Sequence, residues 1–297
     1  MLLEASAEKP GNVNRTASFQ GTRYEHFLAS AVALASPFEY AAELGEAVSR
    51  GEIQACDVGI GRIIRDCVVE ANAWQHGGNT LLGTSILLAP VAVAAGMAPA
   101  KDIVFDISQL RSDIKQVVEA TTPEDAMNVY EAIRLANPGG LGKSSELDVN
   151  DPNSTNRIRE ERISLLRVFR IASSYDMICS EWVNNYPVTF NVAYQSLLRQ
   201  LGNGETLDRA ILHAFLQILE EYPDTLISRK AGTEKARGVS AMASEVLKLG
   251  FETFEGKRRL GAFDEHLRES SNLLNPGTTA DIMAAALALC VLGGYRP

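Results

Sequence analysis

A chain of 297 residues, 46% of them hydrophobic, can bury a large core, and its composition carries no signature of disorder. With 28 basic against 37 acidic residues and a formal charge of -9, it lacks the basic footprint of a DNA- or RNA-binding protein, although a few clustered cations could hold a small phosphorylated ligand. Cys56, Cys67, Cys179 and Cys290 are scattered through apolar surroundings with no C-x-x-C pair to suggest metal or redox work, which fits a reducing cytosol.

In chain order, the opening MLLEASAEKPGNV has no basic region or long apolar run, so no secretion signal is expected. A first polar cluster, Lys9-Pro10-Gly11-Asn12-Val13-Asn14, is followed by Arg23, Glu25 and His26. Gly59-Ile60-Gly61 lacks the third glycine, the preceding strand and the βαβ frame of a dinucleotide site. A second polar turn, Gly77-Gly78-Asn79-Thr80-Leu81-Leu82-Gly83, leads into the apolar stretch Ile86 to Ala98, too short to cross a bilayer and expected as a buried helix. Ile103-Val104-Phe105 is a short extended candidate with no evident partner, so a sheet is not the scaffold. Thr122-Pro123-Glu124-Asp125 places a cap, a first-turn proline and a carboxylate where exposed helix amides need them, and predicts a helix through Ala136.

Asn137 to Asn156, rich in Gly, Pro, Asn and Ser, is expected as a long loop. Its start nearly matches a phosphate loop at Gly142-Lys143-Ser144, but Asn137 replaces the first glycine and the preceding segment is helical, so a surface loop is the stronger reading. Helical stripes follow at Ile163, Leu166, Phe169 and Ile171, and at Leu212, Phe215, Leu216 and Leu219. A third polar turn, Asn275-Pro276-Gly277-Thr278-Thr279-Ala280-Asp281, carries a cap-to-acid spacing at Thr278 and Asp281 before the apolar Ile282 to Leu292. The four histidines, His26, His76, His213 and His266, are too far apart for a zinc pair on one helix face. The fold expected is all-α, a single helical domain over residues 1–297 with a buried helix core. In the second and third turns, two readings stay open: ordinary capping by Asn79, Thr80, Thr278 and Asp281, or free amides at a positive helix end that can hold phosphate.

Taken in order, these blocks resemble the triphosphoribosyl-dephospho-CoA synthase family, whose members carry an early K-P-G, an N-T-x-x-G turn before an apolar helix, and a late S-P-G-G-x-A-D-L-L-A block. A fourth block, Asp224-Thr225-Leu226-Ile227-Ser228-Arg229-Lys230-Ala231-Gly232, is similar to the family's D-T-N-x-x-x-R-x-G. The resemblance implies an all-helical enzyme that moves the triphosphoribosyl part of ATP to the ribose 2′-hydroxyl of 3′-dephospho-CoA, releasing adenine. It implies Mg²⁺ held by Glu25, Asp281 and Asp224, and substrate or phosphate contacts from Lys9, Gly11, Asn79, Thr80, Arg229, Lys230, Gly277 and Thr278. Glu25, Asp281 and Glu70 are the expected catalytic carboxylates, with Glu25 or Glu70 as base. Partners are then a nucleotide and a CoA-like acceptor, with no nucleic acid or membrane and a homodimer left open. The chain departs from the well-characterised branch in two places: Leu81-Leu82 stand where that branch has His-Lys, and Arg23-Tyr24-Glu25 where it has a His and an Asp. The variant resembles the archaeal and methylotroph-type branch. Two alternatives stay open: synthesis of a one-carbon carrier cofactor of methanopterin or methanofuran type, and a non-catalytic nucleotide- or CoA-binding regulator.

Overall fold

The computed structural model describes all residues except 99–103, 143, 145, 270 and 271, so Ile103 of the extended candidate and Lys143 of the glycine-rich loop lie outside the described residues. Helix follows helix: α1 (Leu2–Ser6), α2 (Tyr24–Ala33), α3 (Ala35–Ser49), α4 (Ile60–Trp74), α5 (Leu82–Met97), α6 (Ile107–Glu119), α7 (Pro123–Ala136) and α8 (Pro152–Glu160). They continue as α9 (Leu165–Ala172), α10 (Met177–Val183), α11 (Tyr194–Gly202), α12 (Leu207–Glu221), α13 (Thr225–Ala231), α14 (Thr233–Leu249), α15 (Phe254–Glu269) and α16 (Gly277–Leu292). No β-strand forms among the described residues; Phe19 and Thr22 make an isolated bridge that closes the turn before α2. The chain is all-α, and none of its described helices is long and apolar enough to cross a membrane. Its contacts gather in two compact units, one of residues 1–27, 187–290 and 297, the other of residues 28–186 and 291–296.

In the second of these units α5 is the buried axis. It is apolar on every side, as a helix surrounded by protein must be. α3 crosses it where Gly45 faces Gly96; a Cβ on Gly45 would lie 1.9 Å from the Val93 oxygen, so only glycine lets the two backbones touch. Pro90 inside α5 has no N–H to give Ile86, four residues earlier. The carbonyl oxygens this disturbs are answered from outside the helix, Ile86 by the Trp182 indole at 3.0 Å and Leu87 by the Tyr186 hydroxyl at 3.0 Å. α7 starts as its sequence predicts, with Thr122 and Asp125 capping each other's backbone. Asp125 also accepts the Gly61 N–H at 2.8 Å, and a Cβ on Gly61 would lie 2.2 Å from the Asp125 oxygen. The Gly59-Ile60-Gly61 segment therefore seats α4 on α7.

The segment from Asn137 to Asn156 is not a loop throughout. α8 begins inside it, with Asp151 capping the Asn153 N–H and Pro152 at the first helical position. The remainder is tied to α7: Tyr130 hydroxyl donates to the Leu147 oxygen, and Arg134 to the Val149 oxygen at 3.0 Å and Thr155 Oγ1 at 3.1 Å. The extended candidate finds its partner at the far end of the chain, where the Phe105 N–H donates to the Leu292 oxygen at 2.9 Å.

In the other unit α12 packs against α11 and α14, and α14 in turn against α13 and α15. The predicted stripe on α12 is its inner face: Phe215, Leu216 and Leu219 are fully buried. The predicted cap at the final helix is displaced. α16 starts at Gly277, so Thr278 already lies in its first turn, and its capping partner comes from another part of the chain.

Candidate functional site

Three of the four sequence blocks meet in the unit formed by residues 1–27, 187–290 and 297. The Lys9-Pro10-Gly11 turn is gripped by side chains more than 250 positions away. Asp264 Oδ1 on α15 accepts the Gly11 N–H at 2.8 Å, Asn275 Nδ2 donates to the Gly11 oxygen at 2.8 Å and to Asn12 Oδ1 at 3.0 Å, and Arg268 Nη2 donates to the Asn12 oxygen at 2.7 Å. Gly11 sits at φ +69, where a Cβ would be 2.8 Å from Leu267 Cβ, so the turn needs glycine for conformation and for space.

Asp224 joins the other two blocks. Its Oδ1 caps α13, accepting the Leu226 and Ile227 N–H groups at 2.8 and 3.1 Å, and its Oδ2 accepts the N–H and hydroxyl of Thr279 in α16, both at 2.8 Å. Beside this contact the Thr225 and Thr278 hydroxyls pair at 3.2 Å. Complete burial pushes the Asp224 carboxyl above its usual range, and the donors from Thr279, Ile227 and Leu226 act against that rise. With both oxygens doubly engaged, Asp224 serves as a clasp between helix starts.

Lys9 is buried. It is 1% exposed, its ammonium 3.0 Å from a Glu4 carboxylate oxygen and bonded to the Glu4 and Ala7 carbonyl oxygens. An ammonium has three donors, so Lys9 closes the first turns of the chain and has none left for phosphate. Arg229 and Lys230 lie on α13, half-buried. Burial lowers the Lys230 pKa, with Asp224 acting to raise it and Arg229 to lower it further. Asp281 is half-buried in the first turns of α16, whereas Glu25, at the start of α2, is exposed and 3.8 Å from Arg23. Among the described residues no three His, Cys, Asp or Glu side chains gather as a metal-ligand set.

The remaining block belongs to the other unit, where its side chains cap the helix start. Asn79 Oδ1 accepts the Leu81 and Leu82 N–H groups at 3.3 and 3.0 Å. Thr80 is buried, its hydroxyl 2.6 Å from Ser30 Oγ, and Gln75 closes the turn through the Gly78 oxygen at 3.0 Å and the Gly77 N–H. Leu81 and Leu82, which stand in place of the His-Lys pair, are core residues. Glu70 is exposed on α4. His76 is exposed next to Gln75, while His213, half-buried with Ser196 Oγ at 3.3 Å, has its pKa lowered by burial and then by Arg199.

Asp264 and Arg268 were missed by sequence reasoning. Their signal is an i,i+4 acid-to-base spacing, which on most helices marks a solvated face. Here the pair is a double contact, Arg268 Nε to Asp264 Oδ1 and Oδ2 at 2.9 and 2.8 Å, turned onto the Gly11-Asn12 backbone.

The family described as ATP:dephospho-CoA triphosphoribosyl transferase (CitG) matches residues 1–297. A crystal structure from Archaeoglobus fulgidus, of a protein provisionally described as a triphosphoribosyl-dephospho-CoA synthase, aligns with 91% of this chain and 100% of its own at TM-score 0.66 and 23% identity, a likeness of fold. No curated protein matches the chain.

Proposed function

The chain belongs to the ATP:dephospho-CoA triphosphoribosyl transferase family, and from that premise we propose that it transfers the triphosphoribosyl group of ATP to the ribose 2′-hydroxyl of 3′-dephospho-CoA and releases adenine. The observation that carries the reading is the joining of the Gly11, Asp224 and Asn275 blocks by direct hydrogen bonds, since distant segments each rich in small polar residues have no packing reason to be fastened so closely.

In this reaction the ribose C1′–N9 bond of ATP breaks and a C1′–O bond to the acceptor forms. The hydroxyl proton leaves O2′, and the departing adenine takes up one proton, so the balance closes without an outside oxidant or reductant. Positive charge develops on the sugar as the base leaves. Carboxylates near C1′ stabilise it, and fixed donors on the triphosphate hold the sugar in place. In this reading Arg229 and Lys230 contact phosphate, Gly277 and Thr278 present the start of α16 to it, and Asp281 and Glu25 are the carboxylates available to the sugar and the proton transfer. Mg²⁺, where it takes part, would be held by Asp281 or Glu25 together with the substrate's phosphates, and would neutralise charge on the triphosphate.

One observation favours a different acceptor. Because Leu81 and Leu82 are buried, this chain has no cation at the positions where the well-characterised branch has His-Lys. The test is adenine release from ATP with Mg²⁺ across acceptors: dephospho-CoA, then phosphoribosyl-containing pterin and furan precursors. Release with dephospho-CoA supports the reading, release only with a precursor reassigns the acceptor, and ATP binding without release on the whole panel establishes the regulator in its place.

A further inference from the structure

Arg268 projects from α15 onto the turn that follows Lys9. Its Nε is bonded to both oxygens of Asp264, its Nη2 to the Asn12 oxygen, and Phe19 lies 5.9 Å from its guanidinium carbon. The third nitrogen, Nη1, is buried and has no hydrogen-bond partner among the described residues. A guanidinium stays charged at every accessible pH and has no acceptor lone pair, so an N–H left unpaired there cannot be relieved by titration. Folded proteins leave few such donors, and those they keep are met by water, an ion or a ligand. The other groups of the clasp leave little choice of acceptor. The Asp264 carboxylate already serves Arg268 and the Gly11 N–H, and Asn275 Nδ2 already serves Gly11 and Asn12.

We propose that Arg268 is a further substrate-contacting residue, its Nη1 donating to a phosphate oxygen of a bound substrate. The proposal rests on the transferase reading for the identity of that substrate, and ATP and dephospho-CoA both bring phosphate. Three features suit it. The guanidinium is immobilised by Asp264 and by the Asn12 carbonyl, so little rotamer freedom is lost on binding. Its fork geometry matches a phosphate better than an ammonium does. Asn12, the residue it holds, is also held by Asn275, one residue before the Pro276-Gly277 entry to α16.

The experiment compares wild type with Arg268→Gln, Arg268→Lys and Asp264→Asn. It measures inorganic triphosphate binding by calorimetry, KM for ATP and for dephospho-CoA from adenine release, and unfolding by denaturant. Loss of a charge-assisted contact should weaken triphosphate binding roughly tenfold or more in Arg268→Gln, with partial recovery in Arg268→Lys. Asp264→Asn loosens the guanidinium but leaves its charge and Nη1 in place, so its triphosphate affinity should fall less than that of Arg268→Gln. A rise in KM for ATP assigns the contact to the triphosphate, and a rise confined to dephospho-CoA assigns it to the acceptor's phosphate. Unchanged triphosphate affinity and unchanged KM values in folded Arg268 variants overturn the proposal. So does an equal loss in Asp264→Asn, which would make Arg268 purely structural. A wild-type protein that binds triphosphate but releases no adenine overturns the transferase reading and leaves the Arg268 contact standing.

Discussion

Two polar turns precede apolar helices in this chain, and their sequences look alike: Gly77 to Gly83 before α5, and Asn275 to Asp281 before α16. Their partners differ in kind. The turn before α5 is closed mainly from within, by Gln75 and Asn79, with the Ser30 hydroxyl as its outside contact. The turn before α16 is held by Gly11, Asn12 and Asp224, none nearer than about fifty positions in sequence. A cap made by neighbours stabilises a helix and asks nothing of the rest of the molecule. A cap made by a remote, fully buried carboxylate fixes where that helix start stands relative to other segments, which is what a multi-segment substrate site needs.

The largest expected effect tests that contrast directly. Asp224→Ala strips four donors of their shared acceptor inside a dry site, which should destabilise the protein by roughly 3 kcal/mol or more, read as a lower denaturant midpoint. Asp224→Asn keeps one carbonyl oxygen for Leu226 and Ile227 but loses the acceptor facing Thr279, so it should fall between. An Asp224→Ala protein as stable as wild type would put the remote cap on the same footing as the local one.

Next in size is a matched pair of glycines. Gly11 and Gly78 both have positive φ, +69 and +80, so an alanine at either costs about 1 kcal/mol of backbone strain. Only Gly11 is crowded: a Cβ there would be 2.8 Å from Leu267 Cβ, whereas at Gly78 nothing lies within 4 Å. Gly11→Ala should therefore cost about 2 to 3 kcal/mol and weaken ATP binding, and Gly78→Ala about 1 kcal/mol with binding unchanged. Equal losses by denaturant unfolding would show that the Gly11 clasp is as loose as the local turn.

What could be read in the sequence follows the same division. The Thr122-Pro123-Glu124-Asp125 start of α7 was legible because its partners are three residues apart and its chemistry is complete within the motif. The stripe on α12 was legible because burial on one side leaves a period. The Asp151-Pro152 start of α8 carried the same kind of signal but was submerged in the Gly, Pro and Asn content around it. Asp224 was legible as important but not as a helix clasp, since a carboxylate among small polar residues looks the same whether it meets a metal or a helix end. Arg268 and Asp264 were invisible for a different reason. Their spacing is that of any solvated helix pair, and the backbone they hold lies more than 250 positions away, a distance over which residue patterns carry no pairing information. For the same reason, no periodicity announced that Trp182 and Tyr186 answer the carbonyls around Pro90.

The smallest effect is the sharpest on function. Asn79→Ala removes one side-chain acceptor from two N–H groups at the helix start, a loss of about 1 kcal/mol. If the turn before α5 is only a cap, ATP and inorganic triphosphate affinities should match wild type, and the loss should appear in the denaturant midpoint alone. The outcome that breaks the comparison is a fall in triphosphate affinity of tenfold or more with that midpoint nearly unmoved. It would mean that the α5 amides meet phosphate when substrate is bound, with Asn79 holding them ready, and that the likeness between the two turns extends from sequence to use.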